Sequence, residues 1–368
     1  MSDRTPAANS MRIIDWSAVS PFGMGKTAFA EGLRAGKEAT TLTGGDDTPG
    51  TEYRPVPDLD IQAILGRPGA RFTRETAMAV LAARELLEAR DPDRAPTGQS
   101  LGMVLGTTTG TPQSYMDFTK ASFEGAKPYK VPVALAPNMV MNRGASATAI
   151  WHTLQGPNST IAGGRAAGLL ALRYAQRLLA HRRAEQVLCG AADEYSAARS
   201  WLEHHRSQGA VPPLGEGCAM LLLEAPDPDG PRRPALAEVA ALSFRVAVVG
   251  TDIAEALTAC VQDALTQIEA TAGDVWAAAL SGFCGGEQQI EADVLRGLLG
   301  SEAFAEVLVE PLIGDTSAAS GMFGVTALLS AAQYDPRSAG RLGIVTAVDP
   351  DGVVACGVLR FPAHAHDD

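Results

Sequence analysis

The segment from Gly156 to His181 constrains the fold more than any other part of the sequence, because it predicts a strand, a tight turn and a long helix in succession. The turn consists of small residues, which let two backbones approach closely where the helix begins. Apolar residues then recur at helical spacing from Leu169 to Leu179, which indicates a helix that packs along its length. Such an elbow presents one side chain at the helix N-terminus, where the dipole stabilises an anion or a thiolate. That side chain here is Arg165, a permanent cation that opposes the dipole and cannot attack a carbonyl.

The elbow also carries a recognisable residue pattern. Gly156-Pro-Asn, a small strand and a small-residue turn followed by Gly168 resemble the β-ketoacyl synthase family, in which the elbow carries a nucleophilic cysteine. The resemblance places the position of that cysteine at Arg165. Two further stretches match the family, residues 136–139 (Ala-Pro-Asn-Met) before the elbow and residues 215–217 (Gly-Glu-Gly) after it.

This resemblance implies a thiolase-like α/β fold, with two related halves that form five alternating α/β/α/β/α layers. The alternation of predicted strands and helices supports a layered α/β fold independently. The halves are expected at residues 11–230 and 231–368, on either side of a Pro- and Asp-rich linker. Locally, the pattern predicts a helix from Thr73 to Arg90 with Thr73 as its N-cap, and a surface loop over residues 38–70 with at most one short helix.

The residues that an acyl-condensing enzyme needs are missing. Such an enzyme requires a thiolate to hold the acyl chain and cationic or hydrogen-bonding groups to stabilise negative charge. In the family these groups are the elbow cysteine, two histidines and a lysine, yet none of the six histidines here lies between Arg206 and Ala363. The resemblance places the lysine position at Glu310 and one histidine position at Asp315, and residues 348–352 replace a late Gly-Phe-Gly-Gly segment. We therefore expect no condensation by this chain itself.

Family members without the cysteine include the chain-length factors of type II polyketide synthases. The resemblance thus implies a non-catalytic subunit of a β-ketoacyl synthase (acyltransferase) complex, which forms a heterodimer with an active ketosynthase. The complex would act on acyl groups tethered to an acyl carrier protein, and this subunit would shape the tunnel for a growing aromatic or reduced (polyene) polyketide. Two alternatives stay open: an enzyme of the same fold with another nucleophile, and a non-catalytic scaffold or binding protein.

The helix predicted from Pro112 to Phe123 is the candidate wall of that tunnel. In the family, the helix after a Gly-Thr-x-x-Gly turn reaches across the dimer interface, and its bulky residues stop the growing chain. Its candidate tunnel residues are Tyr115, Met116, Phe118, Thr119 and Phe123. Tyr115 and Phe118 are three residues apart and so share one helix face, which makes them the expected gate. Ordinary interface packing is the alternative role for each of them.

Other candidate chemistries are weak. Cys284 lies in a glycine-rich turn, but no histidine is predicted nearby to activate it, which favours a structural cysteine. Glu287, Glu291 and Asp293 lie at a predicted helix start, where the helix dipole already explains acidic residues. His204 and His205 lack a third ligand for zinc. No cofactor or metal is expected.

Net charge, cysteine content and the length of apolar runs limit which partners and which cellular compartment are expected for this chain. A net charge of −12 disfavours nucleic acid, which binds clustered Lys and Arg. An acidic carrier protein needs only a local basic patch, for which the pairs at 182–183 and 232–233 are candidates, although ordinary surface arginines explain both. Five scattered cysteines indicate reduced thiols in a cytoplasmic protein, and no apolar run reaches the length of a membrane span.

The residues at two of the catalytic positions, Arg165 and Asp315, carry opposite charges and are expected to form an ion pair. In active relatives the elbow cysteine and the second-half histidine lie in contact, and Arg165 and Asp315 take these positions here. A buried arginine requires a carboxylate, because an isolated charge in a medium of low dielectric costs several kcal/mol. We therefore expect Arg165 to pair with Asp315, with Glu310 as an alternative acceptor. An Arg165 that points to solvent or to the interface is the competing expectation.

Overall fold

The computed structural model describes residues 11–90, 98–207, 211–226, 234–248, 252–282, 290–300 and 304–363. Its strands are β1 (Met11–Ser20), β2 (Gly23–Met24), β3 (Leu42–Thr43), β4 (Glu52–Arg54), β5 (Leu101–Thr107), β6 (Asn158–Ala162), β7 (Gln186–Asp193), β8 (Leu214–Gly215), β9 (Gly217–Glu224), β10 (Ala237–Val246), β11 (Val275–Leu280), β12 (Ala305–Leu308), β13 (Leu342–Val348) and β14 (Val353–Arg360). Its helices are α1 (Lys26–Ala35), α2 (Ile61–Gly69), α3 (Arg74–Glu88), α4 (Pro112–Glu124), α5 (Arg143–Trp151), α6 (Ala167–Ala180), α7 (Ala197–Ser207), α8 (Ile253–Thr266), α9 (Ile290–Leu299), α10 (Glu310–Ile313) and α11 (Ser320–Ala332).

The main sheet carries the same strand pattern twice, in the order β12-β11-β13-β14-β10-β1-β9-β7-β5-β6. In the first unit, β9 is antiparallel to both β1 and β7, and β5 is parallel to both β7 and β6. In the second unit, β14 is antiparallel to both β10 and β13, and β11 is parallel to both β13 and β12. The later part of the chain therefore repeats the topology of the earlier part, and the two units join through β1 and β10.

Helices separate and cover these two units in five layers. The helices α6 and α11, one from each repeat, lie between the units and contact each other as well as their own strands. Their apolar side chains form the central cluster, in which Leu169 and Leu172 of α6 join Met322 and Phe323 of α11. Outside, α3 covers the first unit and α8 the second, each over its own apolar cluster. This is the α/β/α/β/α arrangement that the resemblance implied.

The local predictions fare unevenly. The helix expected from Thr73 to Arg90 is α3, and the Thr73 hydroxyl accepts a hydrogen bond from the Thr76 N–H, which confirms the N-cap. The prediction for residues 38–70 is wrong in part, because β3 and β4 lie there besides α2. These strands form by pairing with each other and with the distant β8, so local composition does not reveal them. The expected boundary at residues 230–231 falls outside the described residues. Within the described ranges, no helix combines the length and the apolar character that a membrane crossing requires.

Candidate functional site

The elbow between β6 and α6 is shaped by close backbone contacts. Gly164 has φ = 55°, a left-handed conformation that favours glycine, and the single turn Gly164–Ala166 leads into α6. A Cβ on Gly106 would lie 2.8 Å from the Ala167 carbonyl carbon, and a Cβ on Gly168 would lie 2.6 Å from the Met322 side chain. The small residues of the elbow therefore let α6 approach both β5 and α11, and they place Arg165 in the centre of the molecule.

Arg165 and Asp315 form a buried ion pair at this centre. Only 5% of Arg165 and 3% of Asp315 is exposed, and the Arg165 Nη2 group donates to Asp315 Oδ2. The predicted pair is thus confirmed, and the expectation of a solvent-facing arginine is wrong. Asp315 Oδ1 also accepts the N–H of Ser317 at 2.8 Å. The Asp315 backbone is fixed as well, because its N–H donates to Pro213 O at 2.8 Å and its carbonyl accepts the Gly215 N–H at 2.8 Å.

A second carboxylate binds the elbow backbone. Asp349 lies in the turn between β13 and β14, is 3% exposed, and accepts the Arg165 N–H on Oδ2 at 2.8 Å. Its Oδ1 accepts the Asp351 N–H at 2.9 Å and Arg206 Nη2 at 3.2 Å. Arg206 also pairs with Asp351 at 3.1 Å, so one arginine of α7 links the turn to the surface. The aspartate-containing stretch that the resemblance aligned with Gly-Phe-Gly-Gly therefore contacts the elbow directly.

One face of α7 supplies the remaining charges. Arg199, Glu203 and Arg206 recur at helical spacing and so lie on the side of α7 that faces the ion pair. The guanidinium of Arg199 donates to the Asp315 carbonyl at 2.7 Å and to the Gly215 carbonyl at 2.7 Å. These residues were not predicted as part of the site, and the i, i+4, i+7 spacing of their charges is the sequence signal that could have identified them.

Burial and neighbouring charges shift the pKa values of two carboxyls in opposite directions. Burial alone would raise the pKa of Asp315, but Arg165, then Arg199, the Ser317 N–H and Arg206 together bring it below its ordinary value. The pKa of Glu203 is raised, first by burial and then by the negative charge of Asp315. Asp315 is therefore the carboxylate that balances Arg165, and the site holds a compensated set of charges.

The thiols within the described part of the chain are buried and unreactive. Cys189, Cys218, Cys260 and Cys356 are free and buried. Burial raises the pKa of each thiol, in the case of Cys260 to about 11, so the reactive thiolate is scarce at neutral pH. Cys284 and Glu287 lie outside the described residues. No group of three or more His, Cys, Asp or Glu side chains suited to a metal occurs among the residues that the structure does describe.

Most of the other predicted site residues lie at or near the surface. Glu310 begins α10, and its Cβ would lie 2.4 Å from a Cβ placed on Gly282, two residues beyond the end of β11. Among the predicted tunnel residues, Tyr115, Met116 and Phe123 are exposed, while Phe118 and Thr119 are half-buried. His204 and His205 are exposed on α7, where His204 meets the Trp201 ring edge-on and His205 stacks on it. Arg182 and Arg183 are exposed at the far end of α6.

A surface of large apolar side chains surrounds α4 and α5. We call it the apolar face, and its exposed members are Tyr115, Met116, Phe123, Val133, Val140, Met141 and Ile150. Met141 lies against Gly110, just before α4, and α5 contacts β6. The strand β6 is the last of the main sheet and pairs only with β5 among the described strands. The members on α4 are among the predicted tunnel residues, whereas the members from Val133 to Ile150 were not predicted.

Comparison with known proteins assigns the class. Residues 9–227, more than half of the chain, match the family described as Beta-ketoacyl synthase, N-terminal domain. The chain therefore belongs to the β-ketoacyl synthase family. Its fold is that of the ketosynthase/chain length factor proteins of type II polyketide synthases, as the individual relatives show.

Three relatives define the resemblance further. The chain is similar to the solved ishigamide ketosynthase/chain length factor, with 40% identity and a TM-score of 0.89 over 96% of this chain and 99% of that one. It has 29% identity over 196 residues to the tetracenomycin polyketide synthase ketoacyl synthase alpha subunit of Streptomyces glaucescens, a match that spans 47% of this chain and 43% of that relative. One chain of a solved complex, described as a type II polyketide synthase acyl-carrier protein in complex with its ketosynthase bound to the hexaketide, shares the fold, with 17% identity and a TM-score of 0.78 over 95% of this chain and 99% of that one.

Proposed function

We propose that this chain is a non-catalytic, chain-length-factor-like subunit that pairs with an active ketosynthase in the cytoplasm. The observation that carries the proposal is the buried pair of Arg165 and Asp315. The family pattern assigns the positions of the nucleophile and the histidine to these two residues. Neither residue can form a thioester, and a guanidinium stays protonated at any physiological pH. The 40% identity to a ketosynthase/chain length factor supports the same assignment.

The open edge of the sheet and the apolar face support a protein partner. A strand at a sheet edge presents N–H and C=O groups that another chain can pair with. Here β6 forms such an edge, and the apolar face adjoins it through α5. A cluster of this many exposed large apolar side chains is typical of an interface. A ketosynthase of the same family, with its own sheet edge, is the partner we propose.

The helix α4 gives the subunit its role in the complex. Tyr115 is 59% exposed and Phe118 is half-buried beside it, so both can contribute to a cavity that forms only when the partner covers α4. A bulky wall at that place limits the length of a chain that grows on an acyl carrier protein. The substrate of the pair is accordingly an acyl or polyketide thioester.

Co-purification tests this function. The chain is co-expressed with a tagged ketosynthase encoded next to it, and we expect a one-to-one complex that elongates carrier-bound acyl groups. Ile150→Asp places a charge on the apolar face, at a residue that is 78% exposed, and should abolish the complex. Val246→Asp, at a residue that is 60% exposed in β10, is the matched control and should leave it intact. A chain that stays apart from the ketosynthase, or that becomes acylated itself, would contradict the proposal.

A further inference from the structure

Asp349 accepts a hydrogen bond from a backbone N–H group that acyl transfer at an elbow requires. In such a transfer, the attacking sulfur bonds to the thioester carbon and the carbonyl oxygen becomes negative. The bond from that carbon to the leaving sulfur then breaks, and the released thiolate takes a proton from water. Backbone N–H groups aimed at the oxygen stabilise the intermediate, and loss of one such donor slows catalysis by about 10²–10³-fold.

The donor at this elbow is already engaged. The Arg165 N–H donates to Asp349 Oδ2 at 2.8 Å. In the turn between β13 and β14, Asp349 is followed by Pro350, which has no N–H and so cannot supply a replacement donor. The carboxylate is also negative and would repel an oxyanion in this buried site. Asp349 is held there by the Asp351 N–H and by Arg206.

The elbow is shaped to admit this carboxylate. A Cβ on Gly164 would lie only 1.9 Å from Asp349 Oδ2, so the contact exists because residue 164 is a glycine. Gly164 is separated from Asp349 by most of the second repeat, and Arg206 reaches it from a third element, α7. Three distant segments therefore converge to hold one side chain against one N–H group.

We propose that Asp349 is a second block on acyl transfer, which acts by occupying the elbow N–H and does not depend on the missing cysteine. The inference rests on the proposed non-catalytic function. We expect a cysteine introduced at position 165 to stay without an acyl group as long as Asp349 is present. Asp349 is a positioning residue in this role, because it acts through the backbone of residue 165.

The test compares restored thiols with and without Asp349. Arg165→Cys is combined with Asp315→Asn, which removes the partner charge while its side-chain oxygen can still accept the Ser317 N–H. Asp349→Ala or Asp351→Ala is then added, and Asp351 is the matched control because it also pairs with Arg206 but is 83% exposed in its side chain. Each protein is incubated with S-hexanoyl-N-acetylcysteamine and followed by intact mass. Alkylation by iodoacetamide, measured in parallel, reports thiol access and ionisation.

We expect the ratio of acylation rate to alkylation rate to rise by about 10²-fold with Asp349→Ala and to stay unchanged with Asp351→Ala. Equal ratios in the presence and absence of Asp349 would overturn the inference. If the cysteine variants fail to fold, Asp349→Ala alone should speed amide hydrogen exchange at Arg165 by at least about tenfold relative to Asp351→Ala, and unchanged protection would refute it. The proposed function is tested separately by co-purification, so the two failures are distinguishable.

Discussion

Arg165→Ala removes a buried cation and leaves its partner carboxylate in place. Removal of one member of a buried ion pair costs about 3–5 kcal/mol, because the remaining charge is uncompensated. Asp315 is 3% exposed, but it keeps the Ser317 N–H at 2.8 Å and the nearby charge of Arg199. We therefore expect a loss of about 3 kcal/mol in the free energy of unfolding, at the lower end of that range.

The loss should depend on pH in a defined direction. Asp315 has a lowered pKa in the folded protein, so its contribution to stability is present above the unfolded value of about 3.9 and is lost as the pH falls through the folded value. Without Arg165, burial dominates and the pKa of Asp315 rises. The variant then regains stability as this carboxyl takes up a proton. The difference between the two proteins should be largest at neutral pH and shrink toward roughly pH 4.

Urea unfolding followed by circular dichroism measures this difference. Arg337→Ala is the control, since Arg337 also pairs with an aspartate, at 2.7 Å, but its side chain is 69% exposed, and little change is expected. The double change Arg165→Met with Asp315→Leu should recover much of the loss, because apolar residues of similar volume replace buried pairs well. Two results would refute this expectation: a loss of unfolding free energy in Arg165→Ala as small as that in Arg337→Ala, or a double variant that is no more stable than Arg165→Ala.

Three further predictions concern the tunnel, the elbow and the surface. In the complex with the ketosynthase, Tyr115→Ala and Phe118→Ala should each lengthen the product that mass spectrometry detects. Lys120→Ala, on the same helix with a side chain that is 71% exposed, is the control and should leave the product unchanged. Unchanged product lengths for both Tyr115→Ala and Phe118→Ala would rule out the gate. Gly36→Ala, at φ = 62° with open space around it, should lower the free energy of unfolding by about 1 kcal/mol. Gly164→Ala should lower it by about 1–3 kcal/mol more, because the new Cβ meets Asp349, and equal urea midpoints for the two variants would contradict this. Expressed alone, the chain should self-associate in sedimentation velocity and Ile150→Asp should reduce this, so a monomer at all micromolar concentrations would disprove the exposed interface.

The individual elements around the elbow were predictable because their signals are local, whereas the five-layer architecture was predicted from the family resemblance. The glycines and alanines of the elbow, the spacing from Leu169 onward and the capping Thr73 each describe a few neighbouring residues. The pair of Arg165 and Asp315 was also predictable, since the family pattern placed both residues at one site and burial then required opposite charges to meet.

The remaining parts of the site depend on contacts that local sequence does not encode. Asp349 lies in a turn whose aspartates are equally suited to solvent, and only the packing of β13 beside the elbow brings one of them onto the Arg165 N–H. Arg206 likewise looks like a surface arginine at a helix end. Val140 and Ile150 are apolar residues of types that are usually buried, yet both are exposed, and no local feature of the sequence distinguishes them from core residues.

The shared burial of Arg165 and Asp315 has an evolutionary consequence. A substitution that returns a cysteine to position 165 strands the Asp315 carboxylate, and one that returns a histidine to position 315 strands the Arg165 cation. Either intermediate gives up about 3 kcal/mol, a large share of the 5–15 kcal/mol that typically separates folded from unfolded proteins. Under the role that we propose for Asp349, neither gains activity in exchange while that carboxylate holds the elbow N–H. For the non-catalytic subunit that we propose, the two charges therefore act as a ratchet: a lineage that has acquired both is kept from gaining condensing activity by single, individually selectable steps.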